Sequence, residues 1–130
     1  MMATIKIEGV DKLIKKLGTV EGVKVLEKPM RRSVMRLQSD MAKYPAQRAG
    51  SAYVRTGTLG RRWTVKVNRS QSGLLGKVGN NTEYAPFVQS ARFQARIHSS
   101  RWQTDEIVVN RNAQTIINDF KAAIDRELNK

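Results

Sequence analysis

The periodicity of the chain changes across one short stretch, Tyr53-Val54-Arg55-Thr56-Gly57-Thr58-Leu59-Gly60-Arg61-Arg62-Trp63, and this change restricts the fold more than any other feature. Before it, Leu26, Met30, Val34, Leu37 and Met41 recur at spacings of four, four, three and four, which is one face of a helix. After it, Trp63, Val65 and Val67 alternate with Arg62, Thr64 and Lys66, the pattern of a half-buried strand. Gly57 and Gly60 mark the corner, where backbone angles barred to other residues are open to glycine. The chain therefore passes from helix to sheet here.

Thr4-Ile5-Lys6-Ile7-Glu8-Gly9 alternates and reads as a short strand, placed at a sheet edge by its charges. Asp11 opens a first helix with a small stripe of Leu13, Ile14 and Leu17, and Gly18 stops it. The second helix runs from about Glu21 to Lys43, interrupted by Pro29 and ended by Pro45. Arg31, Arg32, Arg36 and Asp40 occupy its other faces. Residues 45–58 form an extended loop. Arg61–Val67 and Leu74–Val78, joined by a polar turn over 68–73, form a hairpin closed by Gly79-Asn80-Asn81. Glu83–Val88 is a short helical turn, and Trp63, Tyr84 and Phe87 are expected to fill the core between sheet and helix. Residues 90–103 have no period and read as a second long basic loop with interleaved aromatics. Thr104-Asp105-Glu106 caps a C-terminal helix whose apolar face is Ala113, Ile116, Ile117, Phe120, Ile124 and Leu128. The expected fold is α+β: one domain, residues 1–130, with a small antiparallel sheet on two long helices and two extended basic loops.

Charge sets the function class. The chain has 24 Lys and Arg against 11 Asp and Glu, a net +13. Between Lys43 and Arg101 stand eleven basic residues and a single acid, Glu83, a net +10. Such a field favours polyanions or acidic protein surfaces. The chain contains no run of about 18 apolar residues, so no membrane span is expected. Met1–Lys6 lacks the apolar block of a signal peptide, and cysteine is absent, both consistent with synthesis in the cytoplasm. No enzyme is expected. The lone histidine, His98, builds neither a metal cluster nor a Ser-His-Asp relay, and the Gly-Arg-Arg and Arg-Thr-Gly-Thr runs lack the spacing and lysine of a phosphate loop. No cofactor or metal ligand set is expected. Arginines beside Tyr53, Trp63, Phe93 and Trp102 suit phosphate contacts with stacking, yet no helix-turn-helix, zinc-finger or RNA-recognition signature appears. Exposed aromatics with arginine suit protein interfaces equally well.

Several motifs occur in a telling order. An Ile-x-Ile-x-Gly strand precedes a Leu-rich helix, and a long helix ends in Tyr-Pro. Tyr-Val-Arg-Thr-Gly-Thr-Leu-Gly-Arg-Arg-Trp follows at 53–63, then Asn-Asn-Thr-Glu-Tyr-Ala-Pro-Phe-Val-Gln at 80–89. This order resembles the small tail-component, or neck and tail-completion, proteins of long-tailed double-stranded-DNA bacteriophages. In many relatives the second motif runs Tyr-Ala-x-x-Val-x-x-Gly; here Ser90 and Ala91 follow Gln89 and the glycine is absent. The resemblance implies a non-enzymatic virion part at the head–tail joint, assembled in the host cytoplasm. It implies a homo-oligomeric ring, commonly of six subunits, around the DNA channel, in contact with head-closure or connector proteins and with tail-terminator or tail-tube proteins. In such a ring, Arg55, Thr56, Leu59, Phe93, Ile97 and Trp102 are expected at subunit or partner interfaces. The two loops would become ordered only against a neighbouring subunit. Arg48, Arg61, Arg62, Lys66, Arg69, Arg92, Arg96 and Arg101 are expected to face genomic DNA in the lumen or acidic partners. The other reading is a sequence-nonspecific DNA-binding protein, whose affinity falls steeply with salt.

Overall fold

A computed structural model describes residues 2–8, 21–45, 58–69 and 73–129. Three strands, β1 (Met2–Glu8), β2 (Trp63–Arg69) and β3 (Gly73–Asn80), form an antiparallel sheet in the order β1-β3-β2. The N-terminal strand is thus at an edge, as its charges imply, and the hairpin supplies the centre and the other edge. Two long helices, α1 (Glu21–Met41) and α4 (Asp105–Leu128), pack on each other and on one face of the sheet. Between them lie two short helices, α2 (Thr58–Arg61) and α3 (Ala85–Gln89), and a 3-10 turn over Arg96–His98. The fold is the expected α+β arrangement. The expected helix over 11–18 and most of the expected 45–58 loop lie outside the described residues.

The core follows the helical stripe. Leu26, Met30, Val34, Leu37 and Met41 are all buried, and they meet Leu74 and Val78 of β3 and Val108, Ile116 and Phe120 of α4. Pro29 removes one helical N–H, yet α1 continues through it, and the Ser33 hydroxyl donates to the Pro29 carbonyl at 2.7 Å. The helix lies unusually close to the sheet. A Cβ placed on Gly76, in mid-β3, would sit 2.5 Å from Met30 Sδ and 2.7 Å from Val34 Cγ1. Only a residue without a side chain fits beneath that turn of helix.

Asn80 closes the end of β3. Its amide donates to the Leu59 carbonyl at 2.8 Å, and its side-chain oxygen accepts from Thr82 N at 2.9 Å. This fixes α2 against the sheet with Leu59 buried. At the head of α4, Thr104 accepts from Ile107 N at 3.3 Å, and Asp105 and Glu106 stand in the first turn, as the capping pattern predicts.

Two expectations need correction. Tyr84 and Phe87 do not fill the core: they are 42% and 57% exposed, while Trp63 alone of the three packs against it. The five-residue helix α3 instead buries Ala85, Val88 and Gln89. Nor does the 90–103 segment leave the body as an arm awaiting a neighbour. It is folded back on its own subunit, by bonds described next.

Candidate functional site

Three glutamines hold the 84–103 segment. The fully buried Gln89 donates from Nε2 to the Met41 carbonyl at 3.0 Å, at the end of α1. Gln94 Nε2 donates to Val88 O at 2.7 Å and to Trp102 O at 3.0 Å, closing the segment across its own base. Gln103 donates to the Asp40 carbonyl and accepts from Arg111. Main-chain bonds complete the loop, including Ala95 N to Phe87 O at 2.7 Å and Trp102 N to His98 O at 3.0 Å. Trp102 stacks at a tilt on Tyr44, with centroids 5.3 Å apart, and meets His98 edge-on. Tyr44 in turn accepts from Trp63 Nε1 at 2.6 Å. Burial pushes the Tyr44 phenol above its ordinary value despite that bond, so it stays neutral.

The segment is therefore rigidly mounted, and it presents apolar side chains outward. Phe93 is 54% and Ile97 64% exposed, and Tyr84 and Phe87 of the same segment are exposed too. Arg92 lies over the Phe93 ring at 5.2 Å, and Arg92, Arg96 and Arg101 of the same segment are exposed. An apolar knob with a guanidinium rim is the composition of a protein interface. Of the expected interface residues, Phe93 and Ile97 are thus available. Leu59 and Trp102 are occupied inside their own subunit: Leu59 of α2 is buried, and Trp102 packs against Tyr44. Arg55 and Thr56 lie outside the described residues, as does Arg48 of the cationic set.

The remaining cations do not form one surface. In the register of the sheet, Lys66 of β2 stands directly opposite Lys77 of β3, which stands opposite Thr4 of β1. This row is on the face away from α1 and α4, because Leu74, Gly76 and Val78 are the buried positions of β3. Like charges directly opposite one another oppose pairing. Arg61 and Arg62 are exposed at the corner before β2. Arg69 pairs with Glu27 of α1 at 2.9 Å, so it ties strand to helix; such a half-exposed pair contributes only about 0.2–1 kcal/mol.

A further cationic surface escaped the sequence reading. Lys28, Arg31, Arg32 and Arg36 are exposed on α1 away from its buried stripe, and the exposed Lys43 follows just past the end of the helix. With Met35, Ser39, Asp40 and Asn112 of α4, four of these cations line an open groove of about 630 Å³. Its one lining carboxylate is already engaged. Arg111 reaches both oxygens of Asp40, at 2.9 and 3.1 Å, and Asn112 Nδ2 donates to it at 2.7 Å. Arg36 reaches Asp119 only at 3.8 Å. Among the described residues, no group of three or more His, Cys, Asp and Glu is placed to hold a metal ion, and no helix is long and apolar enough to cross a membrane.

Comparison with protein-family models, with curated proteins and with solved structures finds no match. Function must therefore be argued from these surfaces.

Asp40 also makes stability depend on pH. Partial burial alone would raise its pKa. Hydrogen bonds from Asn112 and Arg111, with the charges of Arg111 and Lys43, outweigh that and hold the carboxyl below its ordinary 3.8. A carboxyl depressed in the folded state stabilises the fold above its unfolded pKa, and that contribution is lost as pH falls through the lower folded value. Asp40→Asn is accordingly expected to melt below the parent at neutral pH. The gap should narrow as pH is lowered from about 3.8 through the depressed value. Thermal melts at a series of pH values check this, and a gap that widens in acid would refute it.

Proposed function

We propose that this chain is a structural ring subunit of the head–tail joint of a long-tailed bacteriophage, a neck or tail-completion protein. The reading is supported first by the motif order that resembles that family. The observation that carries it is the exposed apolar knob of Tyr84, Phe87, Phe93 and Ile97 on a rigidly held segment. Tyr84 and Phe87 belong to the 80–89 motif that resembles the family, and a motif whose aromatics face solvent in a single subunit has its use in contact. A knob of this kind meets a different surface on the next copy, giving a head-to-tail contact that closes into a ring when the rotation per subunit allows. The compact body then acts as a preformed wedge, and little ordering cost attends assembly. The same particle would join head-closure or connector proteins on one side to tail-terminator or tail-tube proteins on the other, with no catalytic step.

The test is the assembly state of the chain. Mass photometry and negative-stain electron microscopy of the purified protein, at rising concentration and with neighbouring joint proteins added, should show a closed cyclic oligomer. A strict monomer under all of these conditions would end the proposal.

A further inference from the structure

The solvent face of α1 is the least expected surface of this protein. Exposed helix faces usually interleave acids and bases, which attract at spacings of three and four. Here Lys28, Arg32 and Arg36 follow one another at intervals of four with Arg31 between them; the next position in that row is Asp40, and Lys43 follows just beyond the helix, 3.9 Å from that carboxylate. Each spacing of four from Lys28 to Arg36 places two cations side by side on an exposed face, a repulsion that the fold itself gains nothing from. No carboxylate lies within ion-pair distance of Lys28, Arg31 or Arg32 among the described residues. Asp40, the groove's acid, is taken up by Arg111 and Asn112.

We infer that this face of α1, rimmed by α4, binds the phosphate backbone of double-stranded nucleic acid without reading its sequence. A helix rises about 1.5 Å per residue, so cations four apart recur every 6 Å or so. A duplex strand offers a charge about every 3.4 Å of axis, so every cation on the row meets a phosphate without a special register. An acidic protein would need carboxylates at matching intervals. The groove also lacks what other nucleic-acid modes require. No aromatic side chain lines it, so unpaired bases have no stacking platform. Among its described lining residues the one amide, Asn112, is spent on Asp40 and on the Val108 carbonyl, so no side-chain amide is left to pair with adenine in the bidentate manner. What is left is positioning by charge, which holds a duplex and still lets it slide. This surface is separate from the apolar knob, and the inference does not depend on the ring reading.

The experiment measures binding of the full chain to a short labelled DNA duplex of random sequence, by fluorescence anisotropy, over a series of salt concentrations. Arg31→Gln/Arg32→Gln/Arg36→Gln is compared with Lys66→Gln/Lys77→Gln/Lys121→Gln, which removes the same charge elsewhere. The slope of log affinity against log salt should fall by about 0.9 per lost phosphate contact, about 2.7 for the α1 triple. The control triple should change it by less than one contact. Replacing the same three arginines by lysine should preserve the slope, since a point charge suffices at a phosphate; this guards against a loss caused by misfolding. Equal losses in the two triples would overturn the inference in favour of net charge alone. Undiminished binding by the α1 triple would overturn it, and so would a parent chain that ignores the duplex at low salt but captures an acidic protein. Mass photometry on the same samples separates the two readings. An α1 triple that binds DNA normally within an intact ring sinks only this inference; a monomer that shows the slope change sinks only the ring.

Discussion

The chain carrying Phe93→Asp together with Ile97→Asp is expected to run as a folded monomer where the parent forms a ring. Both side chains are more than half exposed in the single subunit, so their replacement leaves the core untouched and the melting temperature nearly unchanged. In the proposed ring they would form the apolar centre of a contact, where a charge would be buried without a partner. Central apolar anchors are typically worth about 2 kcal/mol or more each. Losing two therefore weakens each subunit contact by about a thousandfold. Size-exclusion chromatography with light scattering reads the outcome, with circular dichroism as the check on folding. A double variant that elutes as the parent ring, at the parent's dissociation threshold, would remove the knob from the interface.

Gly76→Ala is expected to destabilise the fold, and Gly76→Val more so. The added carbon collides with two atoms of α1 that differ in their freedom. Met30 is flexible and can turn aside. Val34 is branched and restricted in a helix, so relief requires the helix itself to lift from β3. Overpacking of this kind costs about 1–3 kcal/mol. The gain in strand preference over glycine, roughly 0.5–1 kcal/mol, offsets part of it for alanine. The net effect is a fall in melting temperature of several degrees, and roughly 4–15 °C for valine. Val34→Ala made in the Gly76→Ala background should cost less than in the parent, because it vacates the contested space. A double-mutant cycle with coupling of about 0.5 kcal/mol or more reports this. Strict additivity, or an alanine variant as stable as the parent, would show that helix and sheet are not held at that distance.

The core was legible in the sequence because it is written in a period. Leu26, Met30, Val34, Leu37 and Met41 share one face of one long helix, and the hairpin alternation with its polar turn fixes β2 against β3. The end of β3 was less so, since nothing in hydropathy says that Asn80 bridges to Leu59. Tyr84 and Phe87 were misjudged for a related reason: in a helix of five residues there is too little period to choose a face, and Val88 and Gln89 took the inner positions. The 90–103 segment was misread because side-chain amides hold it. Gln103 reaches Asp40 and Gln89 reaches Met41 across long spans of sequence, and such bonds leave no local pattern. Phe93 and Trp102 stand out in the sequence because they belong to no period, yet only Phe93 is exposed, while Trp102 packs on Tyr44. The sequence places Arg31, Arg32, Arg36 and Asp40 on the outer faces of α1, and only the engagement of Asp40 by Arg111 and Asn112 shows how little counter-charge remains beside the arginines.

The lysine row on the sheet has a consequence for how copies of this chain meet. A strand at the rim of a sheet carries unsatisfied main-chain groups and invites an identical strand to join it. Here the rim strand β2 bears Lys66 and Arg69, and the row continues inward to Lys77. Two copies brought together flat would set the Lys66 and Lys77 ammonium groups against their own images, whereas Arg69, on the other face, is held by Glu27. Runaway stacking of sheet on sheet into fibres is thereby discouraged.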